Sequence, residues 1–460
     1  MPTMRTNHSQ GGTAIVRIEP LPTNGPYPTA DPFLFCVYHY DIYPLDLSGG
    51  KMECVERGNG HDFHRDQPYR MYHGAYVPGF PQHPHRGFET ITTTITGIID
   101  HADSLGNAGR YGHGDVQWMT AGKGIVHGEM FPLLHGDNQG ESDITTSNTS
   151  NTTSSSSGTT SPKNNTLRFF QLWLNLPSKH KMVEPSFKMF WANEVPVWTS
   201  ENKRASVTVW AGDYFINEDT SKTTTTTTAT QAEEDDGVHE RTTTIPHNTR
   251  QKNLPPPYSW ASDPKNDVAV MRIVIQGPGG KVVIPKAHQA SATVRINRTL
   301  YLVEGGGRGS GLQIDGRTLQ QEKLCITLDA TKDATIEVPA DTYTTTTTCT
   351  NSTTEGTITA VELLLLQGRP INEPVVQHGP FVMNTQHEIQ QAVRDYRATQ
   401  FGGWPWERDD MIFPQPKGRF ALLEGTEYYP PAAAAAAAAV LPSNTNTEEA
   451  ANPTNTTCGT

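Results

Sequence analysis

The chain is 460 residues long, with 36 Lys and Arg against 48 Asp and Glu, a net charge of −12 and a mean hydropathy of −0.54. An acid excess of this size, with no Lys/Arg cluster, excludes direct binding to nucleic-acid phosphates, which needs a basic face. No apolar run reaches the length of a membrane span, and Met1–Arg5 opens without a signal-like apolar stretch.

Five scattered cysteines (Cys36, Cys54, Cys325, Cys349 and Cys458), with no C-x-x-C, fit free thiols in a reducing compartment. The expectation is a soluble intracellular protein, cytoplasmic or nuclear. Only 35% of the chain is hydrophobic, but the deficit is local. Tracts rich in Ser, Thr, Asn or Ala at 137–166, 218–256, 342–359 and 430–460 cannot bury a core and are expected to be disordered. Without them and the first residues, roughly 330 remain, enough for two compact domains.

In chain order, Val16 and Ile18 alternate with polar neighbours, and Phe33–Tyr40 (FLFCVYHY) is rich in β-formers. Glu89–Ile99 (ETITTTITGII) interleaves Thr with Ile and reads as a strand. Turn signals follow at Leu105-Gly106-Asn107 and Gly112–Asp115. Leu167–Leu176 (LRFFQLWLNL) is a dense apolar run stopped by Pro177, and reads as a buried strand. Arg204–Ala211 alternates again, and further β-rich stretches lie at Asp267–Ile275, Leu300–Val303, Thr335–Val338 and Leu363–Leu366. Thr385-x-x-Glu388 has capping-box spacing. Ile389, Ala392, Val393 and Tyr396 then recur at helical intervals until Gly402-Gly403.

Short strands between Gly/Asn/Asp turns predict an all-β protein, an antiparallel sandwich or barrel in each of two β-rich blocks, with one short helix near the C-terminus. The expected divisions are a first β block over 14–136, completing and linking strands over 167–217, and a second β block with the helix over 257–429.

The sharpest local feature is His83-Pro84-His85. Residues i and i+2 of an extended segment project from one face, so both imidazoles can meet one ion. His127-Gly128-Glu129 repeats the geometry on a second expected strand. Together the dyads offer three imidazoles and a carboxylate, a set that suits one divalent first-row metal and leaves two octahedral positions open. Open positions distinguish a catalytic site from a structural one. Pro84 is compatible with a strand only at an edge or bulge.

Glu89, four residues past His85, has the same parity, so spacing alone leaves Glu89 and Glu129 tied as the carboxylate ligand. His61 and His64 lie in a polar, turn-rich stretch without a partner dyad. His101 and His113 flank turns and read as solvated. His288 stands alone and reads as surface.

The stretch His83–Pro132, HPHRGFETITTTITGIIDHADSLGNAGRYGHGDVQWMTAGKGIVHGEMFP, closely resembles the signature of the pirin family of the cupin superfamily. The resemblance extends to Asp31–Leu34, Leu172–Pro177, Lys181–Pro185 and Gln377–Thr385, and the approach YHGAYVPGFP looks like the larger bacterial-type members. It implies two stacked cupin jelly-roll barrels and one non-haem metal, Fe2+, in the first. The family's ligand pattern falls on His83, His85, His127 and Glu129, which favours Glu129 over Glu89. Gly128 departs from the pattern, because many relatives carry Ser or Ala there.

Two functions follow from the resemblance. One is a quercetinase-type dioxygenase that opens a flavonol ring with O2. Glu129 would act there as general base, and Trp118, Met119 and Phe88 would shape the pocket. The alternative is an iron-dependent transcription cofactor that docks a transcription factor as its protein partner. The acidic charge allows a protein partner and disfavours DNA itself.

Overall fold

The structure, a computed structural model, describes residues 12–23, 25–46, 50–54, 58, 60, 70–134, 165–214, 254–307, 309–340 and 360–431. Most of 137–166, 218–256 and 430–460, all of 342–359, and His61 and His64 lie outside the described residues.

The first strands are β1 (Ile15–Pro20) and β2 (Phe33–Tyr43). β3 (Gly79–His85), β4 (Phe88–Thr96), β5 (Ile98–Asp103), β6 (Ala108–Gly112), β7 (Val116–Thr120) and β8 (Ile125–Met130) follow closely. Next come β9 (Asn165–Asn175), β10 (Ser186–Phe190), β11 (Val197–Thr199) and β12 (Ala205–Ala211). The second half contributes β13 (Ala269–Ile275), β14 (Gly280–Ile284), β15 (Asn297–Glu304), β16 (Gln313–Ile314) and β17 (Arg317–Thr318). It continues through β18 (Leu324–Leu328), β19 (Ala334–Val338) and β20 (Val361–Gly368). A hairpin of β21 (Val376–His378) and β22 (Phe381–Met383) leads into α1 (Gln386–Thr399), then β23 (Phe420–Leu423) and β24 (Thr426–Tyr428).

These strands build the two barrels. In the first, a five-stranded sheet in the order β10-β7-β4-β9-β2 faces a six-stranded sheet in the order β24-β23-β6-β5-β8-β3. In the second, the seven-stranded sheet β1-β18-β15-β20-β13-β12-β11 faces the four-stranded sheet β14-β19-β16-β17. The barrels stack sheet on sheet: Ile91, Leu172 and Leu174 from the first share one buried cluster with Val270, Tyr301 and Leu364 from the second. Burial on both faces from Phe88 to Thr94 fits a strand that is β-branched from Thr90 onward, with Ile and Thr in place of charged residues.

Sheet membership crosses the expected divisions at both ends. β1 pairs with β18, Ile18 opposite Ile326, so the 14–136 block lends its first strand to the second barrel. β23 pairs with β6, Ala421 opposite Gly109, so the 257–429 block returns its last strands to the first. Of the linking stretch 167–217, β9 and β10 belong to the first barrel, β11 and β12 to the second. Hydrophobic alternation marks that a strand exists, and only pairing decides where it goes.

Helix α1 has the expected capping box: Glu388 N–H donates to Thr385 Oγ1 (3.2 Å) and Thr385 N–H to Glu388 Oε2 (2.8 Å). It ends at Gln400, in the left-handed region (φ 47°), two residues before the glycine pair expected to close it. Ile389 and Ala392 bury against Phe381 and Met383. Among the described residues no helix is long and apolar enough to cross a membrane.

Candidate metal centre

β3 and β8 lie side by side at the end of the six-stranded sheet, with His83 directly opposite His127. β3 is the edge strand, which accommodates Pro84 opposite Val126, and its register slips earlier, between Phe80 and His83. Two-residue parity turns His83, His85 and His127 into the barrel. Each offers a ring nitrogen, and these nitrogens lie within 4.8 Å of one another. Ring centroids are 4.5 Å apart for His83 and His127, 4.8 Å for His83 and His85, and 5.0 Å for His85 and His127.

The hydrogen bonds leave lone pairs for a ligand. His83 Nδ1 sits 2.8 Å from the Pro81 carbonyl, and a proton there leaves Nε2 bare. His85 Nδ1 faces the Pro380 carbonyl at 3.4 Å. Although wholly buried, His127 has no partner on either nitrogen, an orphan that a cation would satisfy. Burial pushes the His83 pKa down and those of His85 and His127 well down, and neighbouring imidazoles add to the effect. Three neutral imidazoles meeting in a buried site fit one divalent metal ion.

The two carboxylates part company. Glu129 follows His127 on the inner face of β8, buried, with its oxygens held by Thr92 Oγ1 (3.0 Å), Tyr111 OH (3.4 Å) and Gln171 Nε2 (2.6 Å). Glu89 faces the other way, toward the second barrel. Its oxygens accept from Thr120 Oγ1 (2.7 Å) and from Ser259 Oγ (2.5 Å), a residue in the segment that leads into that barrel. The even count from His85 fails because the chain turns a corner at Gly87 (φ 88°) between β3 and β4. On β4 it is Thr92 that points at Glu129, so Glu89 and Ile91 occupy the opposite face. Burial raises the Glu89 pKa to about 7.

Phe88 stands beside the imidazoles as expected, its ring 5.1 Å from His85 and 4.4 Å from Trp173, which itself lies 5.4 Å from His85. Trp118 faces outward into the cluster shared by the barrels, and Met119 packs with Ile125 and Phe187. Neither is placed among the rings flanking the imidazoles. His101, expected in a solvated turn, is wholly buried on β5, its ring 5.5 Å from that of His127. It pairs across the sheet with Glu129. His113 is exposed, as expected.

Sequence reasoning passed over Thr92, Tyr111, Gln171, Trp173 and His101. For Gln171 a signal existed, since it is the one uncharged polar side chain between Arg168 and Leu174 in an otherwise apolar run. His101 offered none.

The second half of the chain helps to build the first barrel's site. Arg86 N–H donates to the Pro380 carbonyl (3.3 Å) and Val382 N–H to the Arg86 carbonyl (3.0 Å). The Arg86 guanidinium pairs with Asp395 of α1 at 2.7 Å and lies over the Phe401 ring at 4.5 Å. Lys181, buried, donates to Gly87 O (2.8 Å), Asn175 Oδ1 (2.7 Å) and Val382 O (3.2 Å), and burial lowers its pKa to about 8. The corner that follows His85 is thus pinned from two sides.

Comparison with known proteins agrees with this architecture. The family model Pirin matches residues 56–174, the stretch that carries all four residues of the two dyads, and the Pirin C-terminal cupin domain matches 283–402. A protein of Pseudomonas aeruginosa described as a putative quercetin 2,3-dioxygenase is 30% identical over 322 residues, covering 70% of this chain and 80% of its own. A pirin-like protein of Solanum lycopersicum is 30% identical over 324 residues, covering 70% and 77%. The crystal structure of a quercetin 2,3-dioxygenase from Acinetobacter baumannii superposes with a TM-score of 0.48 at 20% identity, over 86% of this chain and 98% of that one.

Proposed function

The chain belongs to the pirin family, and from that premise we propose that it is an iron-dependent oxidoreductase that opens a flavonol ring with dioxygen. The observation that carries the reading is the meeting of three neutral imidazoles beside two aromatic rings, with the buried Glu129 two residues past His127 on the same strand. His83, His85 and His127 would hold Fe2+, and Glu129 would be its fourth ligand. A bound ion supplies Lewis acidity toward the substrate's enolic oxygen.

The rest is work for the chain's own side chains. Phe88 and Trp173 offer apolar surface to a flat aromatic substrate and keep water from the reacting face. Glu129 takes the enolic proton on a carboxylate oxygen, and its neutral donors leave it the charge to do so. The test is elemental analysis of the purified protein, then quercetin added without oxygen and again with it. We expect one iron per chain, a shift of the flavonol band under anaerobic conditions, and loss of quercetin absorbance once oxygen enters. Metal-replete protein that leaves quercetin unchanged would refute the assignment.

A further inference from the structure

We infer that Gln171, with Thr92 and Tyr111, positions the Glu129 carboxylate and thereby sets how tightly this barrel holds its metal ion. The inference rests on the reading above that Glu129 is the fourth ligand.

The observations come from four strands. The inner face of β9 runs Phe169, Gln171, Trp173, so an amide stands between two large aromatic residues. An amide in an apolar row costs free energy unless it is bonded, and Gln171 Nε2 lies 2.6 Å from Glu129 Oε2. Thr92 on β4 is directly opposite Gln171, and its hydroxyl donates to the other oxygen, Oε1, at 3.0 Å. Tyr111 OH, from β6, stands 3.4 Å from the same Oε1. Each carboxylate oxygen therefore has its own donor, and the two donors at 3.0 Å or less reach across from the opposite sheet. That fixes the rotation of the carboxylate about its last bond.

The donors' chemistry carries the argument further. All three are uncharged, so they hold the carboxylate oxygens without a cation of their own beside them. An Arg or Lys in their place would cancel the charge that a cation needs. Oε1 takes both hydroxyls, whereas Oε2 accepts from Gln171 alone and keeps a lone pair for the ion. Gln171 and Thr92 are thus positioning residues, which act on the metal only through Glu129. Their partner's charge is what the ion sees.

The experiment measures Co2+ affinity by competition with a chelating dye, together with the visible absorption of the bound Co2+, which reports its ligand set. Gln171→Met, close in shape but unable to donate, should weaken Co2+ binding about tenfold and move the spectrum toward that of Glu129→Gln. Placed on the Glu129→Gln background, Gln171→Met should change affinity by less than about twofold, because the residue it acts through is already gone. Thr92→Val should give a smaller loss with the same dependence on Glu129. Melting curves identify a variant that does not fold, and the other then carries the test.

Losses that multiply with Glu129→Gln would overturn the inference, since they would mean that the donors act on the fold. So would wild-type affinity in both donor variants beside a weakened Glu129→Gln. If Glu129→Gln itself binds Co2+ with wild-type affinity and spectrum, the ligand assignment falls and this inference falls with it.

Discussion

The two barrels share an architecture and differ in what fills them. The second is packed with aliphatic side chains: Val207, Ile273, Leu300, Leu302, Ile326 and Leu363 form its interior, each at 0% exposure. The first interior mixes apolar packing with three ligand-type imidazoles, His101, Glu129, Gln117 and Gln171. Several of its buried polar atoms, on His101, Gln117 and His127, lack a partner. Orphaned buried polar atoms cost stability, and they persist where they serve chemistry. One barrel spends its interior on packing, and the other gives part of that up for a site. His288, in the second half, is exposed, consistent with that division.

The hardest test of this contrast removes one imidazole. His127→Ala should empty the metal site, measured as metal per chain, while the melting temperature holds or rises because a buried orphan has gone. Retained metal would break the contrast outright. The complementary change is Leu302→Ala in the second barrel. A wholly buried leucine lost to a cavity should cost about 2–5 kcal/mol in denaturant unfolding, with metal content per folded chain unchanged.

The seam between the barrels gives a pH test. Glu89 keeps its proton to about pH 7 when folded, against 4.5 as its ordinary value, so the folded state binds more protons in that window. Its contribution to stability is complete below about pH 4.5 and is lost as the pH rises through about 7. The loss amounts to at most ~3 kcal/mol. Unfolding midpoints of wild type and Glu89→Gln should therefore diverge across this window, with the flatter profile in the variant. Parallel profiles would show that the seam does not hold Glu89 neutral.

The smallest effect concerns Gly128, between the two β8 residues of the site. A Cβ there would meet Gln82 N at 3.5 Å and Phe80 O and the Trp404 ring at 3.6 Å, ordinary contacts. Gly128→Ala should shift stability by less than about 1 kcal/mol, in the stabilising direction, with metal content unchanged.

What the sequence determined by itself was everything that depends on a local repeat. Two-residue parity put His83 with His85 and His127 with Glu129, alternation marked most strands, and Thr385-x-x-Glu388 announced the helix. These signals survive because backbone geometry transmits them over a few residues. Tertiary structure decided what no short window contains. The corner at Gly87 turned Glu89 away from the imidazoles and left Glu129 beside His127. Strand pairing sent β1 to the second barrel and β23 to the first. A carbonyl from Pro380, 295 residues after His85, came to face its ring. His101 looked solvated because turn residues surround it, and it is buried because β5 lies between β6 and β8. Contacts of that kind are set by which sheets close on each other, and the free energy that closes them is spread over the whole core rather than held in any one motif.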